Sequence, residues 1–185
     1  LEEQVVLGRF TALGALAVAR AIGTKTGFDA QVKWPNDVLL NGKKICGVLA
    51  ETDLQAGKPN AVVVGVGVNL LPGAFNANAS LNYPASDIFS ETGISLDAQT
   101  WLLAILDAMQ KLRQVLPGDA FVREWNEKLA FKGEMRVIRN HKGETGLFRL
   151  LDVLSDGSLR VERADCQQFC FQSAEVLPSS SSSKG

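Results

Sequence analysis

A tight hairpin centred on Asn41-Gly42 constrains this chain more than any other feature of its sequence. The pair separates the apolar run Val38–Leu40 from the run Lys43–Glu51. An Asn-Gly pair between two such runs is the strongest short signal for a two-residue β-turn, because both residues tolerate a positive φ. Just upstream, the run Lys33–Asp37 supplies a lysine, an amide and a carboxylate, and Trp34-Pro35 restricts the backbone that enters the hairpin. The sequence therefore predicts a polar cluster on a rigid turn.

The turn also predicts which side chains share a face of the ladder. It pairs Leu40 with Lys43, which places Asp37 opposite Cys46 and diagonal to Lys44. For an arbitrary Asp and Lys, the common outcome is a structural ion pair that contributes little. A phosphate site is the alternative, because two lysines near one phosphate stabilise its charge without any proton transfer.

A second strand signal is the valine-rich run Ala61–Val68, whose continuous apolar character predicts a central strand covered on both faces. Gly65 and Gly67 interrupt this run, and Gly47 lies on the return strand of the hairpin. A glycine inside a strand indicates a bulge or the close approach of a ligand, and both alternatives stay open. The run is not a dinucleotide fingerprint, because no helix follows it and the third glycine is absent.

Segments with helical periodicity precede and follow these strands in the sequence. The spacing of apolar residues predicts a buried helix over 9–25, a short helix over 85–91, a helix capped by Asp97 and ended by Pro117-Gly118, and another from Asp119. Extended runs separated by turn signals follow, at residues 135–139, 144–153, 158–163 and 167–175.

These elements predict an α+β protein, with a mixed β-sheet flanked by helices and a small all-β unit at the C-terminal end. The predicted division is a first domain over 1–130, a second over 131–178 and a flexible tail over 179–185. The second unit is small, so we expect it to pack on the first. The segment Leu70–Pro84 lacks periodicity and predicts a long loop near the polar cluster.

Composition excludes several classes of function. Nineteen Lys+Arg against 20 Asp+Glu give a net charge of -1, which supplies no field to attract nucleic acid or an anionic membrane. No apolar run approaches the length of a membrane span, and no signal peptide is evident, so we expect a cytoplasmic protein. Cys46, Cys166, Cys170 and the single His141 do not complete a tetrahedral zinc set, and no metal site is predicted.

Several of these residues resemble the central signature of biotin protein ligases. Order, spacing and residue type agree with that family over Lys33-Trp34-Pro35-Asn36-Asp37, the hairpin residues 41–47, Glu51 and Gly65-Val66-Gly67-Val68-Asn69. The helix around Trp125 and the β-rich end also resemble the family's domain junction and its small SH3-like C-terminal domain. The resemblance thus implies a biotin/lipoate ligase-like catalytic domain followed by an SH3-like domain.

The resemblance implies a two-step reaction. Biotin and MgATP form biotinyl-5'-AMP and pyrophosphate, and a lysine of a biotin carboxyl carrier protein then attacks the mixed anhydride. Lys44 would stabilise charge on the biotin carboxylate and α-phosphate, and Asp37 would orient or deprotonate the acceptor lysine. The implied lining is Lys44, Gly47, Val48 and Gly65 for biotin, and Lys33, Asn36 and Asn69 for the adenylate.

Part of the family pattern is not found in this sequence. The family has a Gly- and Arg-rich loop upstream of the first helix, together with Ser/Thr positions that bind the biotin ureido ring, and Gly8 and Arg9 do not reproduce them. Because this loop is missing, we expect either a fragment of a longer enzyme or a naturally short homologue, and the opening on Leu1 in place of methionine leads us to expect a preceding segment. The alternatives are a lipoate or octanoyl protein ligase and a non-catalytic adenylate- or partner-binding module. The resemblance allows a homodimer, and no helix-turn-helix segment supports a repressor function.

Overall fold

The computed structural model describes residues 3–55, 58–74 and 83–178. These ranges contain four helices and nine strands, grouped as one helix, four strands, three helices and five strands. In chain order they are α1 (Glu3–Thr26), β1 (Gln31–Lys33), β2 (Asp37–Leu40), β3 (Lys43–Gln55), β4 (Lys58–Val68), α2 (Ile88–Thr92), α3 (Ala98–Val115), α4 (Asp119–Lys128), β5 (Met135–Asn140), β6 (Thr145–Val153), β7 (Leu159–Glu162), β8 (Gln168–Phe171) and β9 (Ala174–Val176). The α+β class is confirmed.

The first sheet has the order β1-β2-β3-β4, and all of these pairs are antiparallel. The predicted mixed sheet is therefore wrong for the described strands. Short turns join consecutive strands here, and a tight turn can only connect antiparallel neighbours. In the part of the chain that the structure describes, parallel pairing is limited to the isolated bridges Val32–Leu129 and Lys44–Ala85.

One face of this sheet is covered by helix α1. The helix lies very close to β3 and β4, because a Cβ at Gly14 would be only 2.8 Å from Val48 Cγ1 and 3.2 Å from Val64 Cγ1. Glycine permits that approach where any side chain would clash. On the opposite face, Leu49 and Val63 are each 62% exposed. Among the described residues the second face is thus open at β3 and β4, whereas β2, whose four residues are all buried, is covered on both faces.

The expectation of a central strand covered on both faces is wrong for Ala61–Val68. This run forms most of β4, which has a strand neighbour on only one side in the described part of the chain. Val64, Val66 and Val68 pack against the core, whereas the residues between them are exposed. Valine suits either environment because its β-branched side chain favours strands, so a continuous valine run does not prove two-sided burial.

The hairpin turn is confirmed, but the register beyond it differs from the prediction. Asn41 and Gly42 have φ values of 51° and 75°, and Leu40 pairs with Lys43 as expected. One extra residue on β3 then shifts the ladder, so that Asp37 lies opposite Gly47 and not opposite Cys46. An inserted residue of this kind is a β-bulge, which neither the turn nor the apolar pattern of the sequence could reveal.

The second sheet is antiparallel, with the order β8-β7-β6-β5-β9. The predicted run 167–175 divides into β8 and β9, and β9 crosses to the other side of β5. The sheet packs on the first part of the chain as expected: Trp34 Nε1 donates to Gly157 O at 3.0 Å, and the Arg9 guanidinium donates to the carbonyls of Ser155 and Leu116. The SH3-like identity of this unit stays a prediction.

The helices agree with their predicted positions, with shifted ends. Helix α1 begins at Glu3 and α2 only at Ile88, where the Asp87 side chain accepts from Ser90 N. Asp97 caps α3 as predicted. In the described ranges, none of the helices combines the length and apolar character needed to cross a membrane. The predicted tail 179–185 and most of the predicted loop lie outside the described residues.

Candidate functional site

A single row of the first sheet brings the polar cluster together. Lys33 pairs with Asp37 across β1 and β2, Asp37 with Gly47 across β2 and β3, and Gly47 with Gly67 across β3 and β4. Residues that are paired in a ladder present their side chains on the same face. The second face of the sheet, which is open at β3 and β4, therefore carries a buried lysine and carboxylate beside two adjacent positions that have no side chain.

Asp37 lies between two ammonium groups. Its Oδ2 accepts from Lys33 Nζ at 2.9 Å, and its Oδ1 is 2.5 Å from Lys44 Nζ. The Asp37 and Lys33 side chains are only 9% and 5% exposed, whereas that of Lys44 is 32% exposed. The three groups together carry one net positive charge, and Lys44 is the member with the most access to solvent.

Tyr83 covers the buried lysine, a role that was not predicted from the sequence. The ammonium of Lys33 lies 4.7 Å from the centre of the Tyr83 ring, which stacks on Phe131 at 5.8 Å. A ring face attracts a cation most strongly where water is excluded. Burial, outweighing the charge of Arg136, raises the pKa of Tyr83 to about 12, so the phenol is neutral. Tyr83 falls within the predicted loop, and its aromatic side chain is the one sequence feature that could have indicated a contact with Lys33.

The glycines on the open face are not explained by packing. Among the described residues, a Cβ at Gly65 would meet only Leu49 O at 3.7 Å, and one at Gly67 only Gly47 O at 3.8 Å, both ordinary contacts. The register shifts of β3 and β4 lie elsewhere, between Asp53 and Leu54. Of the two alternatives left by the sequence, the bulge is therefore excluded at these positions. The close approach of a ligand or another backbone is the remaining reason for glycine.

Gly47 has a different role from Gly65 and Gly67. A Cβ at Gly47 would lie 3.4 Å from Lys44 Nζ and 3.8 Å from Asp37 Oδ1. The bulge thus places the one residue without a side chain opposite Asp37, and this leaves room for the Lys44 ammonium to reach the carboxylate.

The other residues of the predicted site make backbone contacts. Asn36 Nδ2 donates to Val48 O and Asn69 Nδ2 donates to Ser86 O, each at 3.0 Å. Val48 is 2% exposed, and its side chain faces α1, so it can line the open face only through its backbone. The two asparagines therefore fix the loops beside the cluster, and their contacts with an adenylate stay a prediction.

Cys46 is buried next to this cluster. Desolvation, reinforced by the negative charge of Asp37, raises the pKa of Cys46 to about 12. Because the thiolate is the reactive form, Cys46 is expected to resist iodoacetamide at pH 8 in the folded protein. Cys166 and Cys170, which are exposed, should be alkylated under the same conditions. Peptide mass spectrometry checks this, and labelling of Cys46 at the rate of the other two would contradict its described burial.

Sequence comparisons with known proteins identify relatives of this chain. The model of the Biotin/lipoate A/B protein ligase family matches residues 3–69. A biotin--[acetyl-CoA-carboxylase] ligase of Paracoccus denitrificans is 33% identical over 175 residues, which cover 89% of this chain and 70% of the relative. A bifunctional ligase/repressor BirA of Escherichia coli (strain K12) is 34% identical over 144 residues, which cover 75% of this chain but only 44% of the relative.

The fold is also found in solved structures. The biotin protein ligase from Aquifex aeolicus in complex with biotin and ATP superposes with a TM-score of 0.77 at 21% sequence identity. The match covers 94% of this chain and 72% of the Aquifex chain. At that identity the likeness establishes the fold, namely helices flanking antiparallel sheets, and not the chemistry.

Proposed function

Because this chain belongs to the biotin protein ligase family, we propose that its open sheet face binds biotin and ATP and joins them as biotinyl-5'-AMP. We further propose that the biotinyl group is then transferred to a lysine of a biotin carboxyl carrier protein, with release of AMP. The observation that carries this proposal is the row Lys33, Asp37, Gly47 and Gly67. It sets a positively charged cluster beside a strip of sheet that is free of side chains.

The charge of the cluster suits an adenylate-forming reaction. One carboxylate between two ammonium groups leaves one positive charge to be satisfied. An α-phosphate or a biotin carboxylate can take that charge, and Lys44 is the donor with the exposure to reach it. A fixed cation beside the reacting phosphate stabilises negative charge that grows in the transition state, and it does so without proton transfer.

Asp37 has a separate role in the proposed second step. While Lys44 pairs with Asp37, both oxygens of the carboxylate are engaged by ammonium groups. If Lys44 turns towards a bound phosphate, Asp37 Oδ1 becomes available to an incoming lysine amine. A carboxylate in that position can orient the amine and accept its proton as it attacks the mixed anhydride.

The proposed nucleotide would bring its own magnesium ion. Asp37 is already held by two ammonium groups, and the described residues contain no cluster of three His, Cys, Asp or Glu side chains that could hold a metal. Mg²⁺ commonly binds through substrate phosphates with few protein ligands. The residues that the structure describes thus do not fit a protein-held metal, and no step of the proposal depends on one.

A mass measurement tests the proposal directly. This chain would be incubated with biotin, ATP and a biotin carboxyl carrier protein, and the carrier's mass recorded. A biotinyl increase that depends on ATP supports the function. Adenylate formation without transfer would restrict it to the first step, whereas an increase with lipoate in place of biotin would favour a lipoate ligase. Ligand binding without either reaction would favour a non-catalytic adenylate-binding module.

Gly65 and Gly67 are both exposed on β4, and the first of them allows a further prediction. Gly65→Ala is expected to weaken biotin binding at least tenfold, or by about 1.4 kcal/mol, because its methyl group stands where the ligand approaches. Folding should be unaffected, since the added Cβ meets only a carbonyl at 3.7 Å. Gly23→Ala is the matched control, because its Cβ would also meet one carbonyl at 3.7 Å, but on α1. Calorimetry and thermal unfolding distinguish the two variants, and unchanged affinity in Gly65→Ala would place biotin elsewhere.

Three broader statements remain proposals. We propose domain boundaries at 1–130 and 131–178, with an SH3-like second domain, on the basis of the two separate antiparallel sheets. A cytoplasmic location is proposed from the sequence features given above, and a homodimer from the family resemblance alone. Limited proteolysis, fluorescence microscopy of the tagged protein and analytical ultracentrifugation test these statements in turn.

A further inference from the structure

Glu91 makes an unusually complete set of contacts for a residue outside the polar cluster. Its Oε1 accepts from Lys43 Nζ at 2.8 Å and from Ser86 Oγ at 2.5 Å, and its Oε2 accepts from Asn41 Nδ2 at 3.1 Å. The Glu91 side chain is only 7% exposed, although the Lys43 side chain is 47% exposed. One carboxylate thus joins the hairpin turn, through Asn41 and Lys43, to the segment that contains Ser86.

That segment holds the backbone of Lys44. Lys44 N donates to Pro84 O at 2.8 Å, and Ser86 N donates to Lys44 O at 3.0 Å. These two bonds form the parallel bridge between Lys44 and Ala85. Both backbone groups of Lys44 are therefore fixed by residues 84–86, and the position of that segment determines where the Lys44 side chain begins.

Helix α2 presents Glu91 from a rigid base. Asp87 caps the helix by accepting from Ser90 N at 2.8 Å and from Ser90 Oγ at 2.7 Å. Gly93 ends it in the left-handed conformation, with a φ of 73°. Ile88 is 1% exposed, and Ile88 N donates to Asn69 O at 2.9 Å. Both ends and the buried side of this short helix are thus tied down.

Glu91 is ionised under ordinary conditions. Burial alone would raise the pKa of Glu91, but the hydrogen bonds from Lys43, Ser86 and Asn41 outweigh it, so the pKa lies below the ordinary value of 4.5. A lowered folded-state pKa contributes stability that is present above the unfolded value and lost as the pH falls through the folded value. At neutral pH the carboxylate is charged, and all three donors can bind it.

We propose that Glu91 is a positioning residue for Lys44. By joining the turn 41–43 to the segment 84–86, its carboxylate fixes the Lys44 backbone and hence the reach of the Lys44 ammonium. Glu91 itself is not part of the Lys33–Asp37–Lys44 cluster. The kinetic consequence rests on the proposed ligase function, whereas the structural consequence does not.

Hydrogen exchange measures the structural consequence without any reaction. In Glu91→Ala, the Lys44 and Ser86 amides are expected to exchange about tenfold faster. The contacts of the Glu91 carboxylate no longer have to be broken when this segment opens, so the free energy of local opening is lower. Amides in the buried part of α1 should be unchanged. Glu91→Gln keeps the size and one acceptor oxygen, so it should give an intermediate rate. Asp107→Ala is the control, because Asp107 is an exposed carboxylate with a single Lys111 partner at 2.7 Å.

Kinetics measure the functional consequence. A displaced catalytic cation affects mainly the transition state, so kcat of adenylate formation should fall about tenfold in Glu91→Ala, with KM for biotin and ATP within about twofold. Lys43→Met removes one donor from the exposed side and should shift both readouts in the same direction, even if Glu91→Ala does not fold. A structural role alone would lower the active fraction and accelerate exchange throughout the protein.

The outcomes separate this proposal from the ligase function. Unchanged exchange at Lys44 in both Glu91→Ala and Lys43→Met overturns the positioning role, whatever the activity. Faster local exchange with unchanged kcat overturns its catalytic importance. A wild-type chain that forms no adenylate counts against the proposed function, and in that case the exchange result alone decides whether Glu91 positions Lys44.

Discussion

Lys44→Ala is expected to lower the rate of biotinyl-adenylate formation by a factor of about 100 to 1,000, as measured by pyrophosphate release. The Lys44 ammonium is the one positive group of the cluster with substantial access to the open face, since Lys33 is buried against Tyr83. Without it, charge that develops on the α-phosphate loses its nearest fixed cation. Substrate binding should weaken less than the rate, because the effect is greatest in the transition state.

Two further variants sharpen this test. Lys44→Met keeps most of the side-chain length and should lose as much rate as Lys44→Ala, which would assign the effect to charge and not to packing. Lys111→Ala removes an exposed lysine whose pairing with Asp107, at 2.7 Å, resembles the Lys44–Asp37 contact in distance. It should retain the wild-type rate. Wild-type turnover in Lys44→Met would refute the role given to Lys44.

Much of the cluster could be predicted from the sequence because its signals are local. Asn41-Gly42 determines the turn, and the turn determines that Asp37 and Lys44 share a face. These relations depend on a few neighbouring residues, which is why they agree with the structure. The exposure of Lys44, by contrast, is a property of the assembled sheet and could not be read from the turn.

The errors of prediction arose where a non-local choice decides the outcome. The bulge that brings Gly47 opposite Asp37 is one extra residue in β3, and several registers satisfy the same apolar pattern. Strand β4 has the composition of a central strand but lies at an edge, because composition reports preference for a strand and not its neighbours. Tyr83 reaches the cluster, and Glu91 reaches the hairpin turn beside it, through long-range contacts for which the sequence carried no periodic signal.

Asp37→Ala is expected to destabilise the protein by about 3 to 5 kcal/mol, because it removes one partner of a buried ion pair. Lys33 would then keep an ammonium group that is 5% exposed, with the Tyr83 ring as a weaker partner. The Lys44 side chain can turn to solvent, so the loss of its partner contributes little to the destabilisation. For a chain of this size, such a loss lowers the midpoint of thermal unfolding by roughly 6 to 20 °C.

A double-mutant cycle shows whether the unpaired ammonium group of Lys33 causes the loss of stability in Asp37→Ala. Lys33→Met removes the ammonium and keeps an unbranched apolar side chain beneath Tyr83. Since replacing both members of a buried pair by apolar groups is often nearly neutral, Lys33→Met/Asp37→Ala should recover most of the stability lost in Asp37→Ala. Recovery of stability should not restore transfer to the carrier, because the carboxylate proposed to receive the acceptor proton is still missing. If the double variant is as unstable as Asp37→Ala, the loss comes from the packing of the carboxylate and not from an unpaired lysine.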